Sequence, residues 1–270
     1  MYAFDFVRPA SLAEAVAFLE ANPEAKPLSG GMTLVPTLKQ RMAAPSHLVD
    51  LTRLPELHGI ACTGNVLRIG AATTHAQVAS SPVVAAAIPA LAHLAGLIAD
   101  PQVRNRGTIG GSIANNDPAA DFPAALLALD ATVITNARRI AADDFIVGMF
   151  ETALMEGELV IGLEFPCPDA GAYHKHAHAA SGYAVTGVFA ARHGAQVRIG
   201  VTGAGPNAFR WTEAEQALRR DLSVAALDGV ALDADALLDD AGAPAAYRAN
   251  LVRVYTRRSV AAMLAADGRL

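Results

Sequence analysis

Cysteine is nearly absent from this 270-residue chain: only Cys62 and Cys167 occur, far apart and outside any C-x-x-C spacing. An iron–sulfur cluster usually takes four thiolates, so this chain cannot hold one by itself, and any such cluster would have to sit on another chain. Charge is also scarce. Charged residues make up 17%, the formal net charge is −5, and no basic run exceeds the pairs Arg138-Arg139, Arg219-Arg220 and Arg257-Arg258. That leaves no electrostatic footprint for nucleic acid. Long apolar runs are missing too: the longest, residues 83–99, is interrupted by Pro89 and His93. The first nine residues lack a basic stretch followed by an apolar one. The expectation is a soluble, cytoplasmic protein with no membrane insertion and no cleaved signal.

What is abundant is apolar residues, 53% of the chain and much of that alanine, which suits a helix-rich protein with large contact surfaces. The length favours two domains, or one built from subdomains. No internal repeat or low-complexity linker is visible. The most informative feature is a pair of Gly-Gly segments, Ser29-Gly30-Gly31-Met32-Thr33 and Thr108-Ile109-Gly110-Gly111-Ser112, each flanked by hydroxyls. Glycine lets the backbone approach a ligand closely, so successive N–H groups can converge on anionic oxygens without a lysine or arginine. One such segment marks a turn more often than a site; two together suggest a clamp for a diphosphate. The second lies within a polar run, Arg104 to Asp121, between apolar stretches, as a lined pocket requires.

The pattern of caps and apolar spacing predicts a helix over 11–21, with Ser11 and Glu14 as a capping box. A helix over 34–42 leaves the first glycine turn, and His47–Leu51 reads as a strand. Val66–Ala71 reads as a strand, Thr74 caps a short helix, and Ser81-Pro82 starts another toward Ile98. Helix 123–129, strand 131–135, a turn with the acidic pair Asp143-Asp144 over 141–150, and strand 159–166 follow. Cys167–Ala172 is turn-rich and marks a domain boundary. Beyond it lie strands over 172–178, 185–192 and 195–201, the last two joined by His193-Gly194. Helices are expected over 212–219, 234–239 and 245–266. His174, His176 and His178 alternate, which on a strand puts them on one face; without a nearby carboxylate or cysteine, a partly exposed strand is favoured over a metal site.

The order of these features resembles the FAD-binding middle subunit of molybdenum hydroxylases, the group of aerobic carbon monoxide dehydrogenase and xanthine dehydrogenase. The resemblance runs the whole chain. It rests on Ser29–Leu34, His47–Leu51, Ile69-Gly70-Ala71, Arg104–Ser112, Asp117–Asp121 and Tyr173-His174-Lys175, the run from Arg104 being the most specific. It implies an α+β fold: a PCMH-type FAD-binding domain over 1–172, built from two α/β subdomains of about 1–55 and 56–172 with the cofactor between them. A C-terminal domain over 173–270 follows, with a three-stranded antiparallel sheet and helices. Pro27, Leu28, Ser29, Gly30, Gly31, Met32, Thr33 and Leu34 would hold the adenosine diphosphate part of FAD, and Thr108, Gly110, Gly111 and Ser112 its pyrophosphate. Asp117 counts among the cofactor residues, and Asp121 matches an acidic position for sugar or ribityl hydroxyls. Ile98 and Val160 match apolar positions against the flavin, and Lys175 a basic one near the isoalloxazine. No residue is assigned to substrate catalysis or to a metal.

The implied function is an oxidoreductase flavoprotein subunit with non-covalent FAD. It would carry electrons from iron–sulfur clusters of a small partner to NAD, a quinone or oxygen, while a large partner holds the molybdenum cofactor. The chain departs from the family at His176, His178-Ala179 and Gly182, where an aromatic, two arginines and an aspartate are common. Met32-Thr33 and Asn115-Asn116 depart as well. These changes keep the backbone donors, so they bear on the acceptor rather than on FAD. Two other readings compete: a free-standing FAD oxidase or reductase using Tyr183, His174 or His176, and a flavin-free binding module. At single residues, Asp121 could be only a helix cap and Lys175 only a solvated strand residue.

Overall fold

The computed structural model describes residues 1–240 and 242–268. Its first layer is a parallel sheet of three short strands, β1 (Asp5–Val7), β2 (Lys26–Leu28) and β3 (His47–Asp50), in the order β1-β3-β2. Helices α1 (Leu12–Ala21) and α2 (Leu34–Lys39) connect the strands. Ser11 caps α1 as expected, its Oγ accepting from Glu14 N at 3.2 Å. The reciprocal arm differs: the Glu14 carboxylate accepts from Ala10 N at 2.7 Å rather than from the cap residue itself. Helix α2 stops before the expected Met42, because Arg41 turns into the left-handed region at φ 59°.

The second layer is an antiparallel sheet with strands β4 (Ile60–Thr63), β5 (Val66–Gly70), β6 (Thr132–Thr135), β7 (Arg139–Ala141) and, later in the chain, β10 (Val160–Pro166). Its order is β4-β5-β10-β6-β7. Between β5 and β6 run α3 (His75–Ser80), α4 (Pro82–Ala87), α5 (Pro89–Gly96), α6 (Pro101–Arg104), α7 (Ile109–Asn115) and α8 (Phe122–Ala128). The single helix expected from Ser81 to Ile98 is thus two, since Pro89 has no N–H to continue the ladder and Ile88 takes φ −143°. After β7, the acidic pair starts a one-turn helix α9 (Ala142–Phe145), and β8 (Ile146–Gly148) with β9 (Glu151–Thr152) forms a small hairpin.

The last layer is a sheet ordered β11 (Ala170–Ala177), β12 (Ala184–His193), β13 (Gln196–Thr202) and β14 (Phe209–Arg210). Three of its strands are the expected antiparallel set; the two-residue β14 is an addition. Alternation along β12 sends Phe189 and Ala191 into the core around α8, and Val188 and Ala190 against α10 (Thr212–Arg220) and α11 (Ala245–Ala266). No helix forms over 234–239. The Asp233 carboxylate accepts from Asp235 N at 3.0 Å, a local turn that competes with helix, and Leu238 N donates to Ala204 O.

Core contacts cross the junction near residue 170. Arg198 of β13 donates through Nε to Leu127 O at 2.8 Å, capping α8, and pairs with Asp130 and with Asp143 at 2.7 Å. Among the described residues no helix is long and apolar enough to cross a membrane.

Candidate functional site

A cavity of about 700 Å³ opens where the three layers meet, a volume suited to a cofactor-sized molecule. Its wall takes both glycine segments, together with Ile98, Val160, Asp117, Asp121 and the loop 180–183 between β11 and β12. Every cofactor residue named from the sequence lines it, except Lys175.

The glycine segments touch. Ser29 Oγ and Thr108 Oγ1 are 2.8 Å apart. A Cβ on Gly30 would lie 2.2 Å from Arg106 O, so only glycine permits this approach, and Gly31 holds φ +72°, which a side chain would strain. The two segments nevertheless differ from the symmetric clamp that the sequence suggests. Among the described residues none accepts from the N–H groups of Ser29, Gly30, Gly31, Met32 or Thr33, so the first segment, which lines the cavity, keeps a run of unspent donors.

The second segment is the first turn of α7, and its donors are engaged. Ile109 N bonds Thr73 O at 3.0 Å, Gly110 N bonds Ala71 O at 2.9 Å, Gly111 N bonds Thr108 Oγ1 at 3.2 Å, and Ser112 N bonds Thr108 O at 3.0 Å. Starting a helix and docking it on the end of β5 consumes these groups. Of the four bonds, only that of Gly111 goes to a side chain, and a hydroxyl can rotate away.

Asp121 is not merely a helix cap: its side chain makes no capping bond to α8. The buried carboxylate accepts from Tyr173 Oη at 2.5 Å and pairs with Lys175 Nζ at 2.9 Å. Nor is Lys175 solvated. Its ammonium, 5% exposed, also donates to Gly182 O at 2.8 Å, tying the 180–183 loop to the acid. Burial pushes the Asp121 pKa up, while the Lys175 charge and the Tyr173 hydrogen bond pull it back. Burial, then the Asp121 charge, hold the Tyr173 hydroxyl well above its ordinary range, so it stays a donor.

Tyr183, 43% exposed, lines the cavity, with its pKa raised by burial and then by Asp117. Asp117, itself raised by burial, accepts from Ala119 N at 2.9 Å. His75 forms part of the opposite wall. Burial, then Arg104, lower its pKa to about 4, so the ring is neutral. Of the alternating histidines, His174 and His176 share one partly buried face of β11, against α11, as a partly exposed strand requires; only His178 falls outside, since β11 ends at Ala177 after a register shift. His174 Nδ1 lies 3.2 Å from Ser259 Oγ, and His176 packs between Tyr247 and Tyr255. Among the described residues no three metal-ligating side chains gather.

Residues 2–168 match the FAD binding domain in molybdopterin dehydrogenase, and residues 171–263 match the CO dehydrogenase flavoprotein C-terminal domain. The chain belongs to the FAD-binding medium subunits of the molybdenum hydroxylases. It is 41% identical over 220 residues, 77% of each chain, to the carbon monoxide dehydrogenase medium chain of Hydrogenophaga pseudoflava. It is 38% identical over 278 residues, 95% of each chain, to that of Afipia carboxidovorans. Among solved structures, it resembles the H. pseudoflava carbon monoxide dehydrogenase lacking the Mo-pyranopterin moiety, with a TM-score of 0.88 at 36% identity, covering 97% of this chain and 98% of that one. It is thus an oxidoreductase flavoprotein subunit of the carbon monoxide dehydrogenase and xanthine dehydrogenase type.

Sequence reasoning passed over His75 and the role of Tyr173. For Tyr173 a signal existed: Tyr173 and Lys175 are two apart on one strand and therefore share a face, the one turned to Asp121. His75 carried only a weak signal, as the residue after the Thr74 cap, with a strand ending just before it.

Proposed function

We propose that this chain binds FAD non-covalently in the cavity and carries electrons from the iron–sulfur clusters of a small partner subunit to an external acceptor: NAD, a quinone or oxygen. Hydroxylation takes place at the molybdenum cofactor of a large partner subunit. The FAD-binding part spans 1–172 and the C-terminal part 173–270. The observation that carries the reading is the unspent amide run of Ser29–Thr33 in the lining of a cavity of about 700 Å³, in a chain of this family.

The residues fit the cofactor. A diphosphate accepts from neutral amides without a desolvated cation, and the first glycine segment offers those donors, with the Gly111 amide and the Ser112 hydroxyl opposite. Asp121, oriented by Tyr173, offers its remaining acceptor capacity to sugar or ribityl hydroxyls. Ile98 and Val160 supply apolar surface for a planar ring. Lys175, held between Asp121 and Gly182 O, puts a positive charge behind the acid and fixes the loop that carries Tyr183. FAD, when bound, supplies reversible storage of two electrons; the protein orients it and limits access of water and acceptor.

The test is the visible spectrum of the purified chain, followed by denaturation and identification of the released chromophore. The paired flavin bands with free FAD in the supernatant are expected. A colourless protein that cannot be reconstituted with FAD would overturn the reading, and turnover of an organic substrate by the isolated chain would replace it with that of a free-standing flavoenzyme. Co-purification with an iron–sulfur and a molybdenum subunit, and reoxidation tried with each acceptor class, test the electron path.

A further inference from the structure

The only two cysteines of the chain lie 105 positions apart in sequence, yet their sulfurs are 3.9 Å apart. Backbone pairing brings them together from both sides. Cys62 belongs to β4, opposite Leu67 of β5, and Cys167 is the residue that follows β10, the other neighbour of β5. Cys167 is fixed against the β4–β5 turn by two bonds: its N–H donates to Asn65 O at 2.9 Å, and its carbonyl accepts from Asn65 Nδ2 at 3.2 Å. Cys62 is exposed, Cys167 is half-buried, and neither lines the cavity.

We propose that Cys62 and Cys167 form an oxidisable dithiol that closes to an intramolecular disulfide in the presence of peroxide, clipping the β4–β5 hairpin to the segment leading from β10 into β11. The exposed Cys62 meets the oxidant first. Its thiolate attacks one peroxide oxygen, the O–O bond breaks, hydroxide leaves and a sulfenic acid forms. Cys167 as thiolate then attacks the sulfenic sulfur, the S–S bond forms, the S–O bond breaks and a second hydroxide leaves. Two thiols have lost two electrons and two protons, and hydrogen peroxide has become two waters. Burial, then the neighbouring Cys62, push the Cys167 thiol up to about 11, so it waits as the resolving partner and closure quickens with rising pH. The 3.9 Å separation shortens by side-chain rotation at the exposed partner. The clip would constrain a long loop of the unfolded chain and so stabilise the fold. None of this depends on the cofactor reading.

The experiment treats the full-length chain with hydrogen peroxide and counts thiols in denaturant with Ellman's reagent. Expected are a fall from two free thiols to none, loss of two hydrogens in the intact mass, monomer mobility on a non-reducing gel, and thermal unfolding raised by several degrees, all reversed by dithiothreitol. Peptide mapping should recover a Cys62–Cys167 cross-link. Cys62→Ser and Cys167→Ser should each abolish the thermal shift while keeping the unoxidised melting temperature. Two thiols persisting after treatment, accumulation of sulfinic acid at Cys62, or disulfide-linked dimers would overturn the proposal.

Discussion

Ser29 and Thr108, one from each glycine segment, share a hydrogen bond of 2.8 Å between their hydroxyls, and Thr108 at the same time accepts from Gly111 N. One hydroxyl therefore starts helix α7 and fixes the distance between the two segments. Thr108→Val should remove both bonds. The lost cap is worth about 1 kcal/mol of stability, and FAD affinity should fall by about tenfold as the segments drift. Urea unfolding and titration with FAD, followed by flavin fluorescence, measure the two effects separately. Ser29→Ala should lower affinity but leave the cap, and so the stability, nearly intact.

Gly30→Ala addresses the close approach. Its Cβ would lie 2.2 Å from Arg106 O, closer than any relaxation of one side chain relieves, so the segments must separate. The variant should purify with little flavin, read as the ratio of blue to ultraviolet absorbance. Full flavin content at an unchanged melting temperature would show that the two segments need not touch.

Asp121→Asn removes the counter-charge of Lys175, whose side chain is 5% exposed. A buried cation left unpaired costs about 3–5 kcal/mol. Adding Lys175→Met should recover much of that loss, so that a double-mutant cycle by urea unfolding gives strong coupling between the two sites. Additive losses would mean that the pair is spent on other partners.

Acid stability should carry the mark of His75. Its pKa falls from 6.5 unfolded to about 4 folded, so the stability is whole above 6.5 and is lost as the pH drops toward 4, by about 3 kcal/mol in total. His75→Gln should flatten that window in a curve of unfolding free energy against pH.

Glu158 acts lower on the scale. Hydrogen bonds from Arg138 lead the causes that hold its carboxyl at about 2, with Met155 N and Thr135 Oγ1 contributing against burial. Its contribution is present above 4.5 and lost as the pH falls from 4.5 to 2. Glu158→Gln should remove this second window and leave the His75 window in place.

The parts of the fold and site that were legible in the sequence are those specified by short-range chemistry. Ser11 and Thr74 cap where expected, His193-Gly194 turns β12 into β13, and both glycine segments reach one cavity. What escaped depends on partners distant in sequence. The amides of Ile109 and Gly110 are engaged only because α7 docks on Ala71 and Thr73. Lys175 stays behind the cavity lining because Asp121, 54 positions earlier, and the Gly182 carbonyl hold its ammonium. Pro89 was visible as an interruption of the apolar run, but alanine-rich helical spacing on both sides of it masked its effect as a helix break.

The acid at Asp121 and the base at Lys175 stand on opposite sides of the β10–β11 connection. Recombination between related genes at that connection would therefore not exchange interchangeable modules. A crossover there must inherit a matched acid and base, or the hybrid carries an unmatched charge in its interior, and a chain cleaved at the same place should reassemble only with a half whose charge complements its own.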